Sequence, residues 1–452
     1  MGSGRRERVT DRLGVLGERN FRLFFAGYAT SLFGAAMVPV ALTFAVLNQG
    51  YGAADVGYVL AAETVPLVAL LLIGGVVADR FPRRVSMVGA DLVRFISEGL
   101  LAGLLLTGSP PLWAFMVLAG MLGAGQAFFN PAMTGLMPEM VSADRLQQAN
   151  GLRGVANSTG QVLGPGLAGI IVASRGAGWA IAIDSVTYAI SAACLWRLAI
   201  PPRPASEPSS LISQLAGGWH EFRSRTWLWL IVAQGATFNA LSFAPFMVLG
   251  AVISHERLGG AAAWGAILAV LGAGSIVGGV IAVRLRARRP LVIATIGAAT
   301  FALPIALIAL PAATLLVAGA AGIAGIGLSF YGTLWETTLQ REVRGEALSR
   351  VSSYDWFGST AFMPIGYLLA GPLASTIGVR TTLLLAASWA AASCAAVLTS
   401  RSVRGLTARP ADPPSAVDLP PRAAPHRRLI GDPQRPARPL PGGAEAGGEA
   451  AG

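Results

Sequence analysis

Five charged side chains stand inside long apolar runs, where their chemistry differs from that of charges in water. They are Glu63, Asp91, Arg94, Glu98 and Asp184. A charge deep inside a membrane costs about 2.5–3.5 kcal/mol, and burial away from water favours the neutral form of a carboxyl group. A carboxyl group in such a run therefore suits reversible proton binding. The spacing of Asp91, Arg94 and Glu98 predicts one shared helical face and a self-neutralising ion cluster.

Among the four acids, Glu63 is the leading candidate for a proton carrier because no basic residue lies near it in the sequence. At 1.5 Å per helical residue, Glu63 stands roughly 20 Å from the arginine-rich end of its run. Glu98 is the second candidate. For Asp91 and Asp184 we weigh proton binding against a structural role, and the structural role is favoured.

The elements that hold these residues are predicted from composition. The 452 residues are 54% hydrophobic and 13% charged, whereas soluble domains carry about a quarter charged residues. Charge-free blocks recur along the chain, and a bilayer core needs about 20 apolar residues in a helix. The sequence therefore predicts an all-α integral membrane protein with twelve spans, at residues 23–47, 55–77, 85–107, 112–136, 150–173, 177–199, 228–251, 261–283, 290–310, 313–335, 353–375 and 378–400.

Arginine placement predicts the orientation. All 34 basic residues are arginine, and only Arg175, Arg257 and Arg380 fall in the loops on one side. By the positive-inside rule the other side is cytoplasmic, which predicts a multi-pass protein of the cytoplasmic (inner) membrane with both termini inside. The same arrangement accounts for the net charge of +11, and we expect no nucleic-acid partner. The first residues are interpreted as an arm entering a span rather than as a cleaved leader.

The spans fall into two sets of six. GGVVADRFPRR (74–84) is echoed by GGVIAVRLRARR (278–289), which predicts two pseudo-symmetric six-helix bundles with a site between them. We expect a cytoplasmic arm at 1–22, the first bundle at 23–199, a linker at 200–227, the second bundle at 228–400 and a disordered proline-rich cytoplasmic tail at 401–452.

The run Gly75-x-x-x-Asp79-Arg80-x-Pro82-Arg83-Arg84 resembles the loop 2–3 signature of the major facilitator superfamily, with Pro82 in place of a glycine. The resemblance implies a cytoplasmic gate in which the acid caps helix ends and the arginines clamp one state. It also implies that Asp355, at the start of span eleven, meets this clamp from the other bundle. The alternative is a positive-inside cluster without a gating role.

A second run resembles the span-five motif of the family's antiporters. It consists of Gly151, Gly160, Gly164, Pro165 and Gly169. Small residues at such intervals let helices pack backbone to backbone, and the proline bends its helix. In the family this motif accompanies drug/proton exchange, and the resemblance therefore implies export. Close packing without directional meaning is the alternative.

The segments 128–152 and 182–192 resemble the subgroup that contains the enterobactin exporter and macrolide efflux proteins. One position departs from the family pattern. Where span four of the family carries an arginine, this chain has Ala119, four residues before Gly123. A proton relay built on that arginine is therefore not expected here.

In this family, spans one, four, seven and ten line the cavity. Here they offer aromatic rings and neutral amides but no charge at mid-span, which favours an apolar or amphipathic ligand. A strongly anionic ligand would require buried arginines. The candidate cavity residues are Tyr28, Gln126, Asn130, Gln234, Asn239, Tyr331 and Trp335.

These observations predict a secondary active transporter that exports hydrophobic or amphipathic small molecules, with protons as the coupling ion and the chain as a monomer. Alternatives are a lysophospholipid flippase, a siderophore or other metabolite transporter, or a transport-inactive scaffold or sensor of the same fold. The chain has no phosphate-binding loop, and its histidines, His220, His255 and His426, are far apart. We therefore expect no enzyme activity, cofactor or metal.

Overall fold

The computed structural model describes residues 14–142, 145–200, 219, 222–285, 287–343 and 345–407. The predicted linker and tail lie largely outside the described residues, as does most of the N-terminal arm. In the described part of the chain, long α-helices account for nearly all residues. They are α1 (Arg19–Leu47), α2 (Ala53–Arg80), α3 (Arg83–Thr107), α4 (Leu112–Met140), α5 (Leu146–Arg175), α6 (Ala177–Trp196), α7 (Thr226–Leu258), α8 (Gly260–Arg284), α9 (Pro290–Ala309), α10 (Thr314–Glu342), α11 (Gly345–Thr360 and Met363–Ile377) and α12 (Val379–Thr399).

Ten of these helices are long and apolar enough to cross a membrane. The other two are α3, which holds Asp91, Arg94 and Glu98, and α5, which is rich in glycine and small polar residues. Both are as long as a span, with 25 and 30 residues. The predicted all-α membrane fold is confirmed, and ten of its twelve predicted spans meet the length and hydropathy that a bilayer requires.

Several helices extend past the predicted span ends. Helix α1 begins at Arg19 instead of residue 23, α4 runs to Met140 instead of 136, and α10 runs to Glu342 instead of 335. The predicted ends followed the charge-free blocks. A helix satisfies its own backbone hydrogen bonds and continues into water, where charged side chains are tolerated.

Two helices depart from regular α geometry. Helix α1 is interrupted after Ala35 and resumes at Val38. Helix α7 contains two π-helical segments, Asn239–Phe243 and Ser254–Leu258. The first presents the Asn239 side chain to the backbone of α11 at Ser359 (2.9 Å). It also places the Ser242 hydroxyl 2.8 Å from the carbonyl of Ala386 on α12. The first π segment thus carries two side chains that bond α7 to α11 and α12.

The helices pack into two sets, the first six and the last six along the chain. In the first six helices, α2 and α3 pack on α4, and α6 packs on α1 and α3. In the last six, α10 packs on α8 and α9, while α7 packs on α11 and α12. The aromatic core of this second set is built around Phe246, whose ring lies 5.1 Å from that of Trp264 and 5.0 Å from that of Phe301. Helix pairs α5–α8 and α2–α11 join the two sets.

Candidate functional site: buried acids and the interface between helix sets

Four of the charges predicted inside apolar runs lie together in the interior of the first six helices. Asp91, Arg94 and Glu98 on α3 and Asp184 on α6 are all at least 94% buried. Ser97 and Ser185 bond to backbone carbonyls of neighbouring helices and fix α3 against α4 and α6. The cluster is therefore held by rigid packed helices and not by loops.

Arg94 is the cation of this cluster. Its guanidinium forms an ion pair with Asp91 and lies between two rings, 4.3 Å from the centroid of Phe129 and 4.4 Å from that of Tyr188. Its stem crosses α4 at Gly125, where an added Cβ would come within 2.7 Å of Arg94 Cγ. The buried arginine that packs on α4 thus belongs to α3. Ala119, four residues before Gly123 on α4, is 2% exposed.

Glu98 and Asp184 face each other. Their carboxyl groups lie within hydrogen-bonding reach across the α3–α6 contact, and Thr187 Oγ1 donates to Asp184 Oδ1 at 2.9 Å. Glu63 on α2 is less buried. It is near enough to interact electrostatically with both of these acids and with Tyr367 on α11. Glu63 is therefore within electrostatic range of both the buried acids and Tyr367 of α11.

A polar network joins most of the cavity candidates of the last six helices. Trp335 Nε1 donates to Asp355 Oδ2 at 2.9 Å, and Ser359 Oγ lies 3.5 Å from the other oxygen of Asp355. Tyr331 Oη lies 3.5 Å from Gln234 Oε1. The fourth candidate, Asn239, bonds to the same turn of α11 as described above. The structure thus brings Gln234, Asn239, Tyr331 and Trp335 together where α7, α10 and α11 meet.

The cavity candidates of the first six helices lie on α1 and α4. The ring of Tyr28 stacks on Phe24 at 5.5 Å and lies 5.4 Å from the guanidinium of Arg153. Gln126 and Asn130 are half-buried, and among the described residues their side-chain amides make no hydrogen bond. The contact of Arg153 with Tyr28 was missed because the sequence placed Arg153 at a helix end.

The arginines of the loop 2–3 motif contact their own set of helices. Arg83 bonds to the Gly135 carbonyl and pairs with Glu139 at 3.0 Å, both on α4. Arg84 bonds to the carbonyl of residue 198 after α6 and lies over the ring of Trp196. Arg80 is exposed. Gly75 and Asp79 lie outside the residues whose side chains the structure describes.

Asp355 does not join this clamp in the structure. It was predicted to meet the loop 2–3 arginines, but its hydrogen bonds go to Trp335 and Ser359 in its own set of helices. These contacts of Asp355 have a geometric reason. An aspartate side chain is short, and the turn of α11 that carries Asp355 packs on α10, where the indole of Trp335 supplies a nearer donor.

The glycines of the span-five motif face two neighbours. A Cβ at Gly164 would lie 2.9 Å from the Ala36 carbonyl carbon of α1, next to the interruption of that helix. A Cβ at Gly169 would lie 2.6 Å from the Ala261 carbonyl oxygen of α8. Gly160 faces α1 more loosely, Pro165 is buried, and Gly151 faces open space. Helix α5 thus packs closely between α1 and α8 through these glycines.

The two sets of helices meet at the end away from the arginine-rich loops. There Gly57 of α2 abuts the Tyr367 carbonyl, and Gly371 of α11 abuts Ala54. At the arginine-rich end, Val155 on α5 is 65% exposed and Trp356 on α11 is 66% exposed. Alternating access requires helices that can separate at one end while they stay in contact at the other.

Comparison with known proteins agrees with this architecture. Residues 24–361 match the Major Facilitator Superfamily. The chain is 24% identical over 372 residues to macrolide efflux protein A of Streptococcus pyogenes, covering 81% of this chain and 92% of that protein. It is 26% identical over 368 residues to the multidrug efflux pump Tap of Mycolicibacterium fortuitum, covering 78% and 88%.

Among solved structures, a bacterial homolog of the human lysosomal transporter Spinster superposes with a TM-score of 0.65 at 16% identity, covering 87% of this chain and 98% of that one. At that identity the likeness shows the fold. The predicted resemblance to the superfamily and to its macrolide efflux proteins is confirmed. The chain therefore belongs to the Major Facilitator Superfamily, a family of multi-pass membrane transporters.

Proposed function

We propose that this protein exports hydrophobic or amphipathic small molecules from the cytoplasm and is driven by protons moving inward. The names of its relatives, macrolide efflux protein A and the multidrug efflux pump Tap, support export of drug-like compounds. The arginine-rich loops support an orientation with that side, and both termini, in the cytoplasm. The protein acts as a monomer in the inner membrane in this proposal, because one chain supplies both sets of helices.

One observation carries the proton coupling. Three carboxyl groups, Asp91, Glu98 and Asp184, lie buried in the first six helices with a single described cation, Arg94, among them. A low-dielectric interior does not hold so many uncompensated negative charges. Protons are the simplest neutralising ligand, and Glu63 is within electrostatic range of Asp184 and of Tyr367 on α11. In this proposal Glu63 passes protons between the cavity and the buried acids.

The residues predicted to line the cavity support the proposed substrate class. The free amides of Gln126 and Asn130 stand on one set of helices, and the network around Tyr331 and Trp335 stands on the other. Aromatic rings supply a large apolar contact area, while the amides orient a ligand without demanding charge. The loop that holds Asp79, Arg80, Arg83 and Arg84 would clamp the cytoplasmic side in the opposite state.

The test is efflux from proteoliposomes that contain the purified full chain. A lipophilic fluorescent dye is loaded, and efflux is followed with and without an imposed pH gradient. We expect gradient-driven efflux in the wild type and its loss in Glu63→Gln. Glu256→Gln is the matched control, since Glu256 is exposed on the turn before α8. Gradient-driven efflux that survives in both Glu63→Gln and Glu98→Gln would contradict the proposed coupling.

A second experiment separates the alternatives within transport. Expression in a susceptible host is followed by growth on a panel of antibiotics and siderophores, and lysophospholipid movement is measured in vesicles. Resistance to lipophilic antibiotics supports drug export. Movement of lysophospholipid or siderophore alone would replace it, and no transport of any compound would favour a scaffold or sensor.

A further inference from the structure

We propose that Glu98 and Asp184 form one proton-binding site that holds a single shared proton, and that α1 senses its occupancy through Gly34. This inference deepens the proposed proton coupling and rests on it for its role in transport. The site itself is a structural claim that can be tested without transport. It differs from the assignment of Glu63 as the coupling group, because the proton is held by two carboxyl groups from two helices.

The first support is the geometry of the pair. Both side chains are at least 97% buried, and their carboxyl groups lie within hydrogen-bonding reach. Among the described residues, Glu98 Oε2 and Asp184 Oδ2 receive no hydrogen bond from any donor. Two ionised carboxylates have only acceptors to offer each other. One proton turns one carboxyl group into a donor and completes a hydrogen bond between them.

The second support is the surrounding charge. Helix α3 contributes Asp91 and Arg94, which are paired with each other. Helix α6 contributes Tyr188, whose ring faces Arg94, and α2 contributes Glu63. From α1 and α4 the described contacts with the cluster are made by Gly34, Gly125 and Phe129, which carry no charge. Arg94 pairs with Asp91 and is also near enough to Glu98 and Asp184 to attract both. One cation cannot balance three carboxylates, and Glu98 and Asp184 can lower their mutual repulsion by sharing a proton.

The third support is the contact with α1. A Cβ at Gly34 would lie within 3.0 Å of Asp184 Cγ and closer still to its Oδ1, so the helix backbone passes directly over the carboxyl group. Helix α1 is interrupted immediately afterwards, where the Met37 N–H turns back to the Gly34 carbonyl at 2.8 Å. Gly164 of α5 packs against the same interruption at Ala36. Movement of Asp184 is therefore transmitted by direct contact to α1 and α5.

The α5 helix completes the route. Five residues beyond Gly164, Gly169 touches α8 at Ala261. Loss of the shared proton leaves two adjacent negative charges, which repel and favour separation of the carboxyl groups. Since there is no free space between Gly34 and Asp184, a movement of the Asp184 carboxyl group away from Glu98 pushes α1 at its interruption. The pair is thus connected by packed atoms to the contact between the two sets of helices.

The proton site is tested by infrared difference spectroscopy on the purified full chain in lipid, between acidic and alkaline buffer. We expect one protonated-carboxyl band in the wild type that is abolished by Glu98→Gln and equally by Asp184→Asn, because the introduced amide donates to the remaining carboxylate. Glu63→Gln should keep this band. Two bands removed one at a time by the two substitutions would overturn the shared site, as would a band removed only by Glu63→Gln.

The role in coupling and the contact with α1 are tested separately. Both pair variants should bind dye but lose pH-gradient-driven efflux, with an unchanged elution profile in detergent as the folding control. Gly34→Ala should displace the band and reduce efflux, whereas Gly103→Ala, on α3 in open space, should change neither. Efflux at the wild-type rate in both pair variants, or an unchanged band in Gly34→Ala, would overturn the corresponding step. A shared-proton band in a wild type without proton-driven efflux would refute the proposed function and leave the site standing.

Discussion

Gly169→Ala is the substitution that tests most directly whether α5 and α8 part during function. The added Cβ would lie 2.6 Å from the Ala261 carbonyl oxygen, whereas ordinary contact begins at 3.4 Å. The two helices must therefore separate locally by about 0.8 Å, since the three nearest atoms, in Ala261, Ala262 and Gly265, all belong to the backbone of α8. Overpacking of a tight contact costs roughly 1–3 kcal/mol.

That cost applies only to states in which this contact is closed. If the opposite state separates α5 from α8 here, Gly169→Ala shifts the population toward it by roughly 5- to 150-fold, the factor that corresponds to 1–3 kcal/mol. Gly154→Ala on the same helix is the control, because nothing lies within 4 Å of its added Cβ. Both substitutions raise helix propensity equally, and the difference between them therefore isolates the contact.

The assay is a distance measurement by pulsed electron paramagnetic resonance. Spin labels are placed at Arg175→Cys, the last residue of α5, and at Arg257→Cys, in the last turn of α7 just before α8. The background has Cys194 and Cys394 replaced by serine. We expect a longer-distance population in Gly169→Ala and the wild-type distribution in Gly154→Ala. A folded Gly169→Ala protein with an unchanged distribution would show that α5 and α8 do not separate at this end.

Three further substitutions probe the buried polar groups. Arg94→Leu leaves Asp91 without its cation, and we expect about 3–5 kcal/mol of destabilisation, seen as a lower unfolding temperature that Asp91→Asn partly restores; no loss would contradict the ion pair. Trp335→Phe removes the indole donor to Asp355, and this charge-assisted hydrogen bond is worth about 1.5–3 kcal/mol. We expect the substitution to weaken dye binding in equilibrium titrations by more than the loss of ring size alone would. Ser242→Ala should cost about 1 kcal/mol, and an unfolding midpoint equal to the wild type would refute its bond to α12.

Much of the fold follows from the sequence because a bilayer requires each span to be a helix of about 20 apolar residues. Charge-free blocks locate the helices, and the predicted boundary between the spans 290–310 and 313–335 falls between the end of α9 at Ala309 and the start of α10 at Thr314. The spacing of Asp91, Arg94 and Glu98 predicts their common face, and all three side chains are buried together.

Contacts between side chains on different helices could not be predicted in this way. Nothing in the local pattern predicts that Asp184 faces Glu98, because that contact depends on how α6 packs on α3. Asp355 was assigned to the gate by resemblance, but its partners lie on α10 and its own helix. Ser359, one helical turn after Asp355, was missed although its i+4 spacing is a usable signal.

The joint between the two sets of helices is made of backbone pressed on backbone, at Gly57, Gly169, Gly265 and Gly371. When such contacts open, no charged group has to gain or lose its hydration shell, because only van der Waals contacts between backbone atoms are broken. The opening of the joint should consequently depend only weakly on ionic strength. In the proposed transport cycle, these glycine contacts would let the two sets of helices separate over a shallow energy difference, which the binding of a proton or of a ligand of modest affinity would be enough to shift.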